Sequence, residues 1–293
     1  MTVGGVTYPF SAIVGQQDMK DALLANIVCP SLGGVLIRGE KGTAKSTTVR
    51  AVVDLLPERE VIKGCIFHCG IEDTRSMCDS CRELITQGKK PDSEFIRMRV
   101  VELPLCATED RVAGTLDIEH AITRGLKKFE PGVLAMANGN ILYVDEINLL
   151  DDHIVDLLLD AAAMGVNFVE REGISYAHPA RFLLVGTMNP EEGDLRPQLL
   201  DRFGLVVDVN GEKDSKVRSE IIKRRLEFEK DPAAFSVLYE REQEAIRNQI
   251  IKAKEIISEI KPDERLIDTA VAISLSLGVD GHRADITHEK AAR

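Results

Sequence analysis

Tryptophan is absent from the 293 residues, and aromatic side chains make up only 4% of them. Aromatic platforms of the kind that stack single-stranded nucleic acid are therefore not expected. Basic charge is also short: 37 Lys and Arg face 48 Asp and Glu, a net charge of −11. Sequence-independent binding to DNA or RNA neutralises phosphates with a basic surface, so nucleic acid is not expected as a partner. No apolar run reaches membrane-spanning length, and no charged-then-apolar leader opens the chain. The expectation is a cytoplasmic protein with no membrane partner. Low-complexity tracts and internal repeats are lacking as well.

What is present is an alternation of buried strands and helices. Gly34–Gly39 is a short apolar run bounded by glycines, and Lys45–Leu56 follows with a helical pattern that ends before Pro57. Ile141–Val144, Phe182–Gly186 and Leu205–Val209 read as further buried strands, and Asp151–Met164 as a helix between them. Phe95–Val101 reads as one more strand. Such alternation predicts an α/β core with a parallel sheet flanked by helices. After Gly211 no strand pattern follows. Glu240–Ile260 and Leu266–Leu277 carry apolar stripes at helical spacing, so a small all-helical domain is expected. The division predicted is a core over 1–213 and a helical lid over 214–293. The chain ends at Arg293 inside a helical pattern, which leads us to expect a lid cut short.

Five motifs stand out, the first three at the ends of these strands. Gly39-Glu40-Lys41-Gly42-Thr43-Ala44-Lys45-Ser46-Thr47 lies between a strand and a helix, which is the setting of a phosphate-cradling loop. Its backbone N–H groups and the helix N-terminus suit phosphate oxygens. Lys45 would reach the β- and γ-phosphates of ATP, and the Ser46 hydroxyl would ligate Mg²⁺. Ala44 stands where a second glycine is usual, and a methyl group there fits a right-handed helical backbone. Ile141-Leu-Tyr-Val-Asp145-Glu146 is an apolar strand ending in two carboxylates. Asp145 could hold the Mg²⁺, and Glu146 could polarise the attacking water. Asn189 follows the strand Phe182–Gly186. It could bond the γ-phosphate or the lytic water, or serve as a turn residue before Pro190. Arg196 and Arg202 flank a short helical stretch; either a trans-acting arginine or a surface ion pair would suit them. Arg283 opens a helix in the small domain, where it could report on nucleotide. Together these motifs describe a P-loop ATPase of the AAA+ kind.

Longer runs carry a resemblance. Tyr8-Pro-Phe-Ser-Ala-Ile-Val-Gly-Gln-Gln17, Leu103–Leu116, Phe129–Ala135, Val169–Tyr176 and Gly186–Gly204 resemble the ATPase subunit I of magnesium chelatase. Cobalt-chelatase small subunits and MoxR-type ATPases are nearby relatives. The resemblance implies a hexameric ATPase ring working with a D-type subunit that carries an integrin-I-like domain. It also implies a large porphyrin-binding catalytic subunit, with ATP turnover driving a divalent metal into a tetrapyrrole. By the same likeness Asn189 is sensor 1, Arg202 the arginine finger and Arg283 sensor 2. Val14 and Gly15 would flank the adenine. Residues 103–129 would form the helix-2 insertion, and 167–181 the hairpin before sensor 1. A MoxR-like chaperone ATPase unconnected to porphyrin is the competing reading, and a nucleic-acid translocase a third, which the acidic balance opposes.

Four of the six cysteines fall within seventeen residues as C-x₃-C-x₈-C-x₂-C: Cys65, Cys69, Cys78 and Cys81, with His68 as a substitute ligand. Two close pairs suit one metal site, Zn²⁺ or an iron–sulfur cluster. Reduced thiols or a redox pair are the alternatives. The array lies in an insertion over about 64–82, where its role would be structural or regulatory. Cys29 and Cys106 read as small buried hydrophobes.

Overall fold

A computed structural model describes residues 2–3, 5–117, 128–171, 174–279 and 281–293. Part of the expected helix-2 insertion, 118–127, and the tip of the hairpin, 172–173, lie outside the described residues. The strands that matter here are β1 (Val35–Gly39), β2 (Arg59–Ile62), β3 (Ser93–Ile96), β4 (Val100–Glu102), β5 (Ile141–Val144), β6 (Val166–Arg171), β7 (Ile174–Pro179), β8 (Leu183–Met188) and β9 (Leu205–Val209). The helices used below are α1 (Gln17–Val28), α2 (Lys45–Val52), α3 (Asp79–Thr86), α4 (Val133–Ala137) and α5 (Asp152–Met164). Beyond β9 run α6 (Ser215–Lys230), α7 (Pro232–Leu238), α8 (Glu240–Ile256), α9 (Glu264–Ser276) and α10 (His282–Ala292).

Two compact units divide the chain. The first comprises Met1–Leu55 and Leu200–Arg293. In it β1 and β9 pair in parallel, from Val35 opposite Leu205 to Gly39 opposite Val209. Val35, Leu36 and Ile37 are fully buried, as an uninterrupted apolar strand must be when both faces are covered. The helical region α6–α10 belongs to this unit. An aromatic group ties the N-terminal segment to it: Tyr8 meets Phe228 of α6 edge-on at 5.0 Å and Phe235 of α7 at 5.4 Å. Burial pushes the Tyr8 hydroxyl pKa up to about 12. Arg224 of α6 adds a hydrogen bond to the Ala12 carbonyl at 3.1 Å.

The second unit, Leu56–Leu199, contains the parallel run β4–β5–β8. β5 is buried along its whole length. The single strand expected over Phe95–Val101 is two strands in different sheets. β3 pairs antiparallel with β2, while β4 pairs parallel with β5. The reason is visible in the burial: Ser93–Phe95 are exposed, whereas Val101 is inside, and one straight strand could not serve both surroundings. β6 and β7 form the expected hairpin, with Val166 opposite Pro179 and Arg171 opposite Ile174. Among the described residues no helix is long and apolar enough to cross a membrane.

Candidate nucleotide site

In the first unit the loop between β1 and α2 borders a cavity of about 730 Å³. Glu40, Lys41, Gly42, Thr43, Ala44 and Thr47 form one side of it. Ile13 and Val14 from the N-terminal segment, with Ile221 and Ile222 of α6, supply its apolar part. Lys41, Lys213, Arg218 and Arg225 supply positive charge. A volume of this size, mostly apolar with a few convergent polar groups, suits a small-molecule ligand. Ile222 is 58% exposed, a large apolar side chain turned to the cavity rather than to the core.

The loop is tightly wound. Gly42 and Ala44 both have left-handed backbone, with φ of 86° and 62°. The expectation of right-handed backbone at Ala44 is thus corrected. The chain has to reverse there to start α2, and Ala44 tolerates a conformation that usually goes to glycine. Lys45 and Ser46 are the first residues of α2, partly buried beneath the loop. The Lys45 ammonium donates to the carbonyls of Gly39 and Glu40, the latter at 3.0 Å. Thr43 closes the loop further with a 2.9 Å bond to the Glu40 carbonyl. Gly39 is required by space: a β-carbon there would collide with the Val209 carbonyl of β9. Val14 lines the cavity, whereas Gly15 has a left-handed φ of 68° that favours glycine, and a β-carbon there would push the Glu212 carboxylate aside.

The remaining predicted members of this unit are Arg202 and Arg283. The Arg283 guanidinium donates to the backbone carbonyl of Arg202. It is exposed, and it is not among the residues that line the cavity.

The carboxylates lie in the second unit. Asp145 follows β5 and remains exposed, yet its Oδ1 is fixed by two hydroxyls. Tyr143 donates from 2.9 Å and Thr187 from 2.6 Å. Thr187 also accepts the backbone N–H of Glu146 at 3.2 Å. Glu146 itself has φ 52° and ψ 51°, a strained conformation for a side chain of its size. Such strain collects at functional positions. Asn189, buried after β8, accepts the Glu191 N–H at 3.3 Å through its side-chain oxygen. Arg196 pairs with Asp152 at 2.6 Å. Sequence reasoning overlooked Tyr143, Thr187 and the α6 residues Arg218, Ile221, Ile222 and Arg225. The first two are hidden in strand patterns that burial alone explains, and the others lie far from any motif.

Four sulfurs also come together in the second unit. Those of Cys65, Cys69, Cys78 and Cys81 all lie within 4.8 Å of one another. Hydrogen bonds with Cys69 and Cys78 hold the Cys65 thiol far below its usual range, and burial pushes the Cys81 thiol up. The ring of His68, the expected substitute, is not part of the group. The expectation for the other two cysteines is corrected: Cys106 is exposed and Cys29 half-buried. Cys106 falls in the turn Pro104–Ala107, and Cys29 caps the end of α1, so neither reaches the core.

Comparison with known proteins follows the geometry. Residues 116–197 match the family model described as magnesium chelatase, subunit ChlI. The chain is 56% identical to a magnesium-chelatase subunit ChlI homolog of Methanocaldococcus jannaschii over 286 residues, 98% of this chain and 78% of that protein. It is 51% identical to magnesium-chelatase subunit ChlI of Nostoc sp. over 288 residues, 98% of this chain and 77% of the relative. Among solved structures, a cryo-EM-based complex between subunits BchI and BchD of magnesium chelatase is similar, at 45% identity and a TM-score of 0.62. The match covers 98% of this chain and 94% of that one.

Proposed function

Because the chain belongs to the ChlI family of magnesium-chelatase subunits, we propose that it is the ATP-hydrolysing motor that drives a divalent metal, Mg²⁺ foremost, into a tetrapyrrole. The observation that carries the ATPase half is the cavity bordered by the phosphate loop and α6. Its isoleucines and Val14 suit a purine, and its lysines and arginines suit phosphates. Lys45 and the loop Gly39–Thr47 hold the triphosphate. Ser46 and Asp145 hold the Mg²⁺, for which a carboxylate fixed by two hydroxyls is an apt hard-oxygen ligand. The ion neutralises charge on the phosphates. Glu146 polarises the attacking water, Asn189 positions it, and Arg283 acts from the lid.

Assembly belongs to the same proposal. The chain works in a hexameric ring, in which Arg202 serves the nucleotide of a neighbouring subunit. Likeness to BchI in complex with BchD supports a D-type partner, and a large porphyrin-binding subunit completes the enzyme in the cytoplasm. Residues 1–213 form the nucleotide-binding core and 214–293 the lid. The cysteine array holds a metal centre, either Zn²⁺ or an iron–sulfur cluster.

The test is reconstitution with D-type and porphyrin-binding subunits, Mg²⁺, ATP and a porphyrin, following metalloporphyrin formation by fluorescence. Wild type should give ATP-dependent insertion and Lys45→Ala none. Hydrolysis of ATP without insertion into any porphyrin tried would defeat the chelatase reading while sparing the ATPase one.

A further inference from the structure

The nucleotide chemistry leaves the cysteine array unused. It is nevertheless built with care. Cys69, Cys78 and Cys81 are buried and Cys65 half-buried. Cys65 Sγ lies 3.9 Å from Cys78 Sγ. An ion bound tetrahedrally by four thiolates at about 2.3 Å spaces its sulfurs about 3.8 Å apart. A cluster of several irons spreads its thiolates over different metal atoms and so holds some of them farther apart than a single ion does. Four sulfurs confined within 4.8 Å therefore fit one ion better than a cluster.

The backbone is arranged for thiolates. The N–H group of Cys78 donates to Cys69 Sγ at 3.2 Å. Cys78 is the N-cap of α3, and Cys81 sits in its first turn, at the positive end of the helix dipole. Ile62, Phe67, Met77 and Ala135 share one buried apolar cluster with Cys69, Cys78 and Cys81, a setting that suits a structural centre.

What the array holds in place is equally specific. Phe67 lies between Cys65 and Cys69 and is 2% exposed. Its ring stacks on His178 of β7 at 5.0 Å with 13° between planes, and on Phe129 at 6.1 Å. Phe129 in turn stacks on Tyr176 of β7 at 4.5 Å. The Phe67 carbonyl accepts from Asn138 at 2.7 Å. The loop that carries Phe67 has little regular structure of its own, so a cross-link is needed to fix its ring.

We propose that Cys65, Cys69, Cys78 and Cys81 bind a single Zn²⁺ as a closed structural centre, and that this ion clamps Phe67 under the β6–β7 hairpin. Binding expels the thiol protons to solvent and involves no electron transfer. This deepens the metal reading given above and is independent of the ATPase reading.

The test uses the full chain. Metal analysis of protein purified without added chelator should give one zinc per chain and no iron. Replacement by Co²⁺ should give the intense thiolate-to-cobalt absorption of a tetrahedral four-sulfur site. Iron with labile sulfide would overturn the zinc proposal and leave a metal site standing. Thiols or disulfides that take up neither Zn²⁺ nor Co²⁺ would overturn both. For the clamp, hydrogen exchange is compared before and after zinc removal from the wild-type protein, with Cys78→Ser/Cys81→Ser as a second route to loss. Amides of residues 61–86 and of Val166–Pro179 should exchange roughly tenfold faster or more, as expected for local opening. Nucleotide-loop amides should not change. A hairpin whose exchange is unaffected by zinc removal would overturn the clamp.

Discussion

Thr187 donates its hydroxyl to Asp145 Oδ1 at 2.6 Å and accepts the N–H of Glu146 through the same oxygen at 3.2 Å. One side chain of β8 thus orients the carboxylate proposed to hold Mg²⁺ and fixes the backbone of the glutamate beside it. Loss of such a supporting hydrogen bond at a metal site typically costs about 10–100-fold in metal affinity or activity. Thr187→Val should lower kcat for ATP by that order and raise the Mg²⁺ concentration needed for half-maximal rate. Thr187→Ser should restore most of both. Steady-state ATPase assays across a Mg²⁺ series decide it; a valine variant with wild-type Mg²⁺ dependence would refute the assigned role.

Ala44 tests the nucleotide loop. A left-handed alanine costs roughly 1–2 kcal/mol against right-handed backbone, and glycine relieves that at some entropic cost in the unfolded chain. Ala44→Gly should therefore stabilise the nucleotide-free protein by about 1 kcal/mol, and Ala44→Val should destabilise it, as read from urea midpoints. A lower midpoint for the glycine variant would contradict the φ of 62°.

Ile221 lines the cavity from α6. Removing its apolar surface from a bound base weakens binding in ground and transition states alike. Ile221→Ser should raise the KM for ATP about tenfold with kcat nearly unchanged, for a loss of order 1–2 kcal/mol. If kcat fell instead and KM held, α6 would not be contacting the base.

His178 offers a pH signature. Burial holds its pKa below the usual 6.5, so the folded protein favours the neutral ring. Its Nε2 lies 2.9 Å from the Asn167 amide and its Nδ1 3.0 Å from the Pro179 carbonyl. As pH falls through 6.5 the unfolded chain takes up the proton first. The stabilisation is complete above that value and is lost between it and the lower folded-state pKa. Urea midpoints at about pH 7.5 and about pH 5.5 should differ more for wild type than for His178→Gln. Equal pH slopes for the two proteins would rule the effect out.

The sequence by itself determined the local parts. Uninterrupted apolar runs such as Val35–Ile37 and Ile141–Val144 mark the buried strands, and the residues proposed to carry the chemistry follow them: Lys45 and Ser46 after one, Asp145 and Glu146 after the other. The helical character beyond Gly211 was equally plain, because no strand pattern competes with it. Tertiary structure decided what depends on neighbours distant in sequence. The run Phe95–Val101 breaks in two because its halves meet different partners, β2 and β5. Ala44 turns left-handed because the loop must close before α2. Thr187 reaches Asp145 from 42 residues away, and α6 brings Ile221 and Arg218 to a loop that ends some 170 residues earlier. Spacing showed that four cysteines could meet. Only the folded chain showed their sulfurs within 4.8 Å, with Phe67 held between two of them against the hairpin, since convergence in space is set by packing and leaves no mark in local pattern.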